Sequence, residues 1–198
     1  MAMLRGAAVL LGVLMTLAGQ AGAEDTHKGY EMPPYTVERA EGTVELRAYG
    51  PHLVAEVTVA GGRDAAIGTG FRVLAGYIFG GNDRGQKIAM TVPVTQAPAG
   101  EGDRWMVRFM MPAAFSPDTL PAPRDTRIRF VQVAGGRMLA ERFSGIPRTA
   151  DLAARAEALR DRAAAMGLTV TDGPFFHFYD APMTLPWRRR NEVAFAVR

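Results

Sequence analysis

The densest group of residues with chemical potential is the run MTLPWRRRNE, residues 183–192. An indole ring can stack on a flat ring, and a guanidinium can make forked hydrogen bonds to a carboxylate. We predict that Arg188 contacts a carboxylate, whereas Arg189 opens the following strand and could pair with Glu192. A solvated basic loop with a packed Trp187 is the alternative.

A second informative segment is residues 77–95, YIFGGNDRGQKIAMTVPVT. It offers no nucleophile, paired acids or metal ligands, and is therefore typical of the wall of a binding site. Met90 in this segment and Met183 in the other could face a ligand, although methionine is more often adaptable filler in a core. Together the two segments indicate a protein that holds a large, flat, acidic and largely apolar molecule.

The helix predicted just before residue 80 has a face that is free for a ligand. At about 100° per residue, Gly68, Ala75 and Phe79 cluster within about sixty degrees, with Arg72 at the border. Small residues there would let a flat ring approach the helix backbone closely. The alternative is that Gly68 and Ala75 only let the helix sit tightly on a sheet.

Composition excludes several functional classes. The chain has no cysteine, so disulfides and thiolate chemistry are absent. No Gly-x-Ser-x-Gly elbow, phosphate loop or His-Glu-x-x-His helix occurs, and we expect no enzymatic activity. The formal net charge of +3 is scattered apart from residues 188–190, which argues against nucleic acid as a partner.

The N-terminus is predicted to be an export signal. Arg5 precedes an apolar stretch, residues 7–17, and small residues at 21–23 suit a signal peptidase. The stretch is too short to span a bilayer, which needs roughly 20 apolar residues. We expect a signal peptide at 1–23, a flexible segment at 24–34, one domain at 35–198, and a periplasmic or secreted protein without stable membrane insertion. A retained N-terminal anchor is the alternative.

Hydrophobic periodicity predicts the same order of elements twice. Each half reads as a strand pair, a helix and a second strand pair. The first pair turns at Tyr49-Gly50-Pro51 and the corresponding later pair at Gly135-Gly136. Predicted strand faces and helix stripes are Val44, Leu46 and Ala48; Leu53, Ala55, Val57 and Val59; Ile67, Phe71, Leu74 and Ile78; Ile88, Met90, Val92 and Val94; Trp105, Val107, Phe109 and Met111; and Leu152, Ala156, Leu159, Ala163 and Met166.

Two such halves would join into one curved, largely antiparallel sheet or open β-barrel with two packed helices. The predicted class is α+β. We expect Asp64 to cap the first helix, and Thr149 or Asp151 the second. Pro93 indicates an edge or a bulge in its strand.

The chain resembles the SOUL haem-binding family over essentially all of residues 35–198. Three stretches carry the resemblance: residues 44–59 with the Tyr-Gly-Pro turn, residues 71–95, and residues 182–195 with the run RRNEV. Arg142-Phe143-Ser144-Gly145 is a fourth, shorter match. The resemblance implies a β-barrel-like domain of two related halves. It also implies reversible binding of haem or another tetrapyrrole between the first helix and the loop before the last strand.

Haem offers a wide apolar plate, two carboxylates and one iron, and the predicted contacts follow from that shape. We expect the protein to be an exported carrier or buffer of haem or another tetrapyrrole. A general binder of amphipathic small molecules and a tetrapyrrole-modifying enzyme are the alternatives. The predicted ligand-contacting residues are Gly68, Phe71, Arg72, Ala75, Phe79, Met90, Met183, Trp187 and Arg188.

An iron ligand is harder to assign. Some family members place a histidine directly before the first-strand Tyr-Gly, where this chain has Ala48. Of its three histidines, His27 falls in the predicted flexible segment. His52 follows a turn and His177 shares a strand face with aromatic residues, so both are weak candidates for iron. Binding without a strong protein ligand to iron is the favoured interpretation.

Overall fold

A computed structural model describes residues 26–198, which form one curved nine-stranded antiparallel sheet with two helices. The elements are β1 (Thr26–His27), β2 (Tyr30–Glu31), β3 (Tyr35–Glu41), β4 (Val44–Tyr49), β5 (His52–Ala60), α1 (Arg63–Ile78), β6 (Val94–Pro98), β7 (Arg104–Met110), β8 (Arg129–Val133), β9 (Gly136–Phe143), α2 (Thr149–Ala165), β10 (Val170–Phe178), a 3₁₀ turn (Pro186–Arg188) and β11 (Asn191–Val197). The predicted α+β class, with its half-open barrel and two helices, is confirmed.

The sheet shows the two-halves plan directly. Its strand order is β3-β4-β9-β11-β10-β6-β7-β5-β8. The counterparts of β4, β5, β6 and β7 are β8, β9, β10 and β11, respectively. When each strand is exchanged with its counterpart, the order of the eight strands after β3 is the same read in the opposite direction. The two halves are therefore related by a pseudo-two-fold axis between β6 and β10, which pair at the centre.

Both helices cover the same face of the sheet. Val107, Gln96, Phe176 and Val193 lie directly opposite one another across β7, β6, β10 and β11, so their side chains share a face. Val107 packs in the apolar cluster beneath α1, and Phe176 and Val193 pack in the cluster beneath α2. The opposite face, called the concave face below, has no helix on it among residues 26–198.

The first strands of each half do not form the two predicted hairpins. β4 does not pair with β5, nor β8 with β9; instead β4 pairs with β9 and β5 with β8, across the two halves. The two chain corners pass each other in contact: a Cβ added at Gly135 would lie 2.4 Å from the Tyr49 carbonyl oxygen. Gly135 has φ +84°, a conformation that favours glycine. The Gly-Gly pair therefore serves a chain crossing rather than a two-residue turn.

The predicted strand at residues 88–94 is also wrong in its extent, because β6 begins only at Val94. The backbone before it bonds elsewhere: the Ile88 N–H donates to the Ile78 oxygen (2.8 Å) and the Val92 N–H to the Glu31 oxygen (2.9 Å). This segment consequently closes over the end of α1 instead of extending the sheet.

Helix α1 sits on the sheet through a glycine. A Cβ added at Gly70 would lie 2.6 Å from Val107 Cγ2, so the helix backbone approaches β7 closely. Leu74 and Ile78 are buried as predicted, but Phe71 stays 39% exposed. The expected cap by Asp64 is wrong, since α1 follows Gly62 and has no side-chain cap.

Helix α2 follows its predicted stripe more closely. Leu152, Ala156, Leu159 and Ala163 are all buried against the sheet. Arg148 occupies the N-cap position without a side-chain bond, so neither residue expected to cap this helix does so.

Residues 26–34 are the described part of the segment predicted to be flexible, and they include β1 and β2. Thr26–His27 pairs with Tyr30–Glu31, and Met32 is 2% exposed in a cluster with Tyr35, Val92 and Tyr179. The predicted signal peptide at 1–23 lies outside the described residues. Within residues 26–198, no helix is long and apolar enough to cross a membrane.

Candidate ligand-binding site

Large exposed apolar side chains occur in each of the segments where the sequence predicts a ligand. Six of them lie on α1 or directly after it, on the turn before α2 and on the loop before β11. We call these six the outer apolar set: Phe71, Phe79, Ile146, Met183, Leu185 and Trp187. Met183 is 93% exposed, Trp187 69% and Phe79 65%. Exposed apolar groups of this size commonly mark interaction or ligand-binding surfaces.

Hydrogen bonds connect the three segments that carry this set. Arg63, at the start of α1, donates to the Pro147 carbonyl oxygen (3.4 Å) and to Gln96 Oε1 (2.8 Å). The Gly145 N–H donates to the carbonyl oxygen of Pro186, in the 3₁₀ turn (2.9 Å). The Arg63 side chain is only 9% exposed, and these bonds make it a structural brace rather than an open contact for a ligand; the same burial lowers the pKa of Arg63.

Two neighbouring arginines in this loop have different environments. The Arg189 guanidinium donates to the carbonyl oxygens of Pro182 and Thr184, so it holds the loop closed on itself. The suggested pairing of Arg189 with Glu192 is wrong, because these bonds occupy it. Arg188 is exposed, and within residues 26–198 its guanidinium has no hydrogen-bond or ion-pair partner. Its donors are available to an anionic group.

The predicted residues on α1 and in the next segment divide into two groups. Gly68 is half-buried, and a Cβ added there would meet only Arg72 Nη1 at 3.7 Å, so the surface above it is open. Arg72 is exposed and its Nη2 donates to Thr69 Oγ1 (3.2 Å). Ala75 is buried in the α1 cluster and Met90 packs partly against it. Ala75 therefore packs α1 against the sheet, which was the alternative to ligand contact, whereas Gly68 remains accessible to a ligand.

The run RRNE continues into a buried ionic network that the sequence did not reveal. Glu192 is fully buried and accepts two bonds from Arg47 (2.8 and 3.0 Å), one from Arg190 Nε (2.9 Å) and one from the Tyr179 hydroxyl (2.9 Å). Burial alone would raise the pKa of Glu192, but the two guanidinium groups outweigh it and lower the pKa to about 2. Glu192 is therefore ionised at neutral pH, and the run that carries much of the family resemblance is partly structural.

The two weak iron candidates lie in one place, on the concave face. His52 and His177 both line a cavity of about 640 Å³, together with Thr95, Arg108 and Met138. Burial lowers the pKa of both histidines, and that of His177 to about 4, so both imidazoles are neutral at pH 7. Neither belongs to the outer apolar set.

His27 lies at the edge of the fold. Its ring contacts Tyr179 edge-on and its Nε2 is 3.7 Å from Asp180. Within residues 26–198, no group of three or more His, Cys, Asp or Glu side chains is placed to hold a metal ion.

The described chain is thus an α+β half-barrel of two pseudo-symmetric halves, with the six exposed side chains of the outer apolar set and a cavity on its concave face. The fold recurs in a hydrolase from Listeria innocua at a TM-score of 0.57 and 12% identity, covering 81% of this chain and 94% of that one. At that identity the likeness concerns the fold alone.

Sequence comparison gives the family. The model of the SOUL heme-binding protein family matches residues 30–196, and the chain belongs to that family. It is 38% identical to bovine (Bos taurus) Heme-binding protein 1 over 122 residues, which are 59% of this chain and 63% of that protein. It is 32% identical to mouse (Mus musculus) Heme-binding protein 1 over 136 residues, 66% of this chain and 70% of that protein. The match thus spans somewhat under two thirds of the bovine protein.

Proposed function

We propose that this protein is an exported carrier or buffer of haem or another tetrapyrrole. Membership of the SOUL family and the names of its bovine and mouse relatives support a tetrapyrrole as the ligand. The composition of residues 1–23 supports export to the periplasm or beyond. The ring lies on the outer apolar set, between α1 and the loop before β11.

The observation that carries this proposal is the exposure of Met183 and Trp187 beside an unpartnered Arg188. A flat apolar ring would cover the exposed methionine and indole side chains and remove their apolar area from water. One propionate would accept hydrogen bonds from the Arg188 guanidinium. Gly68 leaves open space above the first turns of α1 for the ring edge.

Iron would be held weakly or not at all by protein atoms on this surface. Met183 is one of the proposed contacts and supplies apolar area, whereas Met90 packs partly against the α1 cluster. His52 and His177 lie on the opposite face of the sheet. The bound haem therefore stays exchangeable, as a carrier requires.

Haemin titration of the protein without residues 1–23 tests the proposal. We expect a shifted and sharpened Soret band that saturates at one equivalent. An unchanged spectrum at micromolar protein would contradict binding. Loss of the bound spectrum with reductant and oxygen, with product formed at catalytic protein levels, would instead indicate tetrapyrrole modification.

The Arg188 contact is tested with two ligands. Arg188→Ala should weaken haemin binding by about 1.5–3 kcal/mol, the value of one charged hydrogen-bonded contact, and leave iron octaethylporphyrin, which has no carboxylate, nearly unaffected. Arg160→Ala is the matched control, because Arg160 is exposed on α2 and lies outside the outer apolar set. Equal losses for the two ligands would remove Arg188 from its proposed role.

A further inference from the structure

The cavity on the concave face is distinct from the outer apolar set. It has a volume of about 640 Å³ and is lined by residues of both halves, including Val54 and Met110 from one half and Met138 and Phe175 from the other. Sites for drug-sized ligands and cofactors commonly enclose about 300–1,000 Å³, with mainly apolar walls and a few polar groups. The size and the walls of the cavity therefore suit a small organic molecule.

One cross-strand row supplies polar groups to this face. His177 lies opposite Thr95, Thr95 opposite Arg108, Arg108 opposite Glu56, and Glu56 opposite Arg129. Directly opposed residues of antiparallel strands project to the same face. Five adjacent strands thus place a continuous band of polar side chains across the concave face.

The charges in this row do not balance. Glu56 Oε2 accepts from Arg108 Nε (2.8 Å) and Glu56 Oε1 accepts from Arg129 (3.0 Å), so two guanidinium groups share one carboxylate. Within residues 26–198, the two Nη groups of Arg108 have no hydrogen-bond partner. Arg108 lines the cavity and can offer this unused part of its fork to an anion, most naturally a carboxylate.

His52 supplies a hydrogen-bond acceptor to the cavity, whereas Arg108 supplies donors. His52 Nδ1 lies 3.0 Å from the Gly50 carbonyl oxygen, which can only accept, so Nδ1 carries the proton. The neutral ring then has its lone pair on Nε2, which has no hydrogen-bond partner within the described chain. His52 Nε2 can therefore accept a hydrogen bond from an N–H or O–H group of a ligand.

Flat surfaces complete the site. The rings of Phe175 and His177 are nearly parallel, with an interplanar angle of 11° and centroids 6.4 Å apart. His177 is fixed by the contact between its Nδ1 and Thr95 Oγ1 (2.9 Å). A planar ligand ring would find aromatic faces on one side and the side chains of Met110 and Met138 elsewhere in the wall.

We propose that the concave cavity is a second ligand site, and that it takes a flat organic carboxylate bearing an N–H or O–H donor. The carboxylate binds the Nη groups of Arg108, the donor binds His52 Nε2, and the ring lies against Phe175 and His177. This site does not depend on haem binding at the outer apolar set.

Three related indoles test the proposal without any variant. Indole-3-acetate has the ring, the N–H and the carboxylate; indole-3-acetamide lacks the charge; 1-methylindole-3-acetate lacks the donor. Isothermal titration of the protein should give a dissociation constant in the micromolar to low-millimolar range for indole-3-acetate. Both analogues should bind more weakly, the amide by roughly tenfold or more because a charged hydrogen bond is lost. Amide shifts in ¹H–¹⁵N spectra should map to β5, β7 and β10.

A matched pair of variants locates the contact. Arg108→Gln should weaken indole-3-acetate roughly tenfold or more and leave the amide little changed. Arg104→Gln, an exposed residue on the same strand that does not line the cavity, should change neither. Haemin affinity should be unaffected by Arg108→Gln, and indole-3-acetate affinity by Arg188→Ala.

Several outcomes would overturn the second site. These are no heat with indole-3-acetate at millimolar concentration, equal affinities for the acid and the amide, and shifts confined to α1 and the loop before β11. Because haemin is measured separately, failure here would leave the haem proposal standing, and failure with haemin would leave this one standing.

Discussion

Replacing Glu192 by glutamine should strongly destabilise the protein, although the two side chains have nearly the same shape. The carboxylate is the common acceptor for Arg47, Arg190 and the Tyr179 hydroxyl, at 2.8–3.0 Å. An amide removes the negative charge and turns one acceptor into a donor that faces donors. Both buried guanidinium groups then lose the acceptor that they share, although Arg47 Nε still donates to Glu45 at 2.7 Å.

The magnitude follows from burial. Glu192 is 0% exposed, Arg47 1% and Arg190 4%, so water cannot solvate the charges that lose their partner. Removing one member of a buried ion pair typically costs about 3–5 kcal/mol. Against a folding free energy of about 5–15 kcal/mol for a domain, that is a large fraction. We expect a loss in this range at neutral pH.

The loss of unfolding free energy in Glu192→Gln is measured by urea unfolding monitored by circular dichroism. Glu141→Gln is the control, because Glu141 also bonds an arginine, Arg155, at 2.7 Å, but both side chains are partly solvated. Exposed pairs of this kind are worth about 0–1 kcal/mol. Similar small losses for the two variants would refute the assignment of Glu192 as a structural anchor.

The acid dependence gives the same test a second readout. The pKa of Glu192 is lowered from 4.5 to about 2, so its contribution is complete above about pH 4.5 and is lost as the pH falls towards 2. Glu192→Gln should remove that part of the acid destabilisation. An unchanged slope between pH 4.5 and 2 would contradict the ionic role.

Two further perturbations act at the chain crossing and at the cavity. Gly135→Ala should lower the free energy of unfolding in urea by more than about 2 kcal/mol, because the φ of Gly135 is positive and the new Cβ would lie 2.4 Å from the Tyr49 oxygen. The control Gly76→Ala, on an open face of α1, should raise it by about 0.5–1 kcal/mol. Equal effects of the two variants would contradict the close contact at the chain crossing. The pKa of His177 is about 4 in the folded protein and 6.5 in the unfolded chain, so the unfolded chain binds more protons between these two pH values. The free energy of unfolding should therefore fall by up to about 3 kcal/mol as the pH drops from 6.5 to 4. His177→Gln should flatten the stability profile over that window, with His52 leaving a smaller slope in the same direction, and an unchanged profile would show that His177 is not buried as a neutral ring.

The sequence predicts where the strands and helices lie better than it predicts which strands pair with each other. Alternation and helical periodicity located β4, β5, β7 and both helices, because these signals are local to each element. The turn motifs at residues 49–51 and 135–136 suggested hairpins, yet β4 pairs with β9 and β5 with β8. Which strand lies beside which is decided by closing the curved sheet, and a local turn signal carries no information about that long-range step.

The same limit applies to the sites. Met183 and Trp187 were found because they are adjacent to arginines in one short run. Glu56 and Arg108 are charged residues between apolar neighbours in the middle of a strand, which was the available signal for the concave face. Their meaning depends on a cross-strand register that one sequence does not show. Likewise, nothing local indicates that Arg47 reaches Glu192 from a strand 145 positions earlier.

The three consecutive arginines show how one short segment can serve the fold and the ligand together. Arg190 turns inward to Glu192, Arg189 bonds two carbonyl oxygens of its own loop, and Arg188 points to solvent. The neighbouring Asn191 donates to the Gly145 oxygen (3.1 Å) and so ties the same loop to the turn before α2. The inner members therefore fix the loop, and a fixed loop presents Trp187 and Arg188 with less conformational entropy to lose when a ring binds. Variants of the inner members should act on stability first, whereas variants of Arg188 should act on the ligand alone.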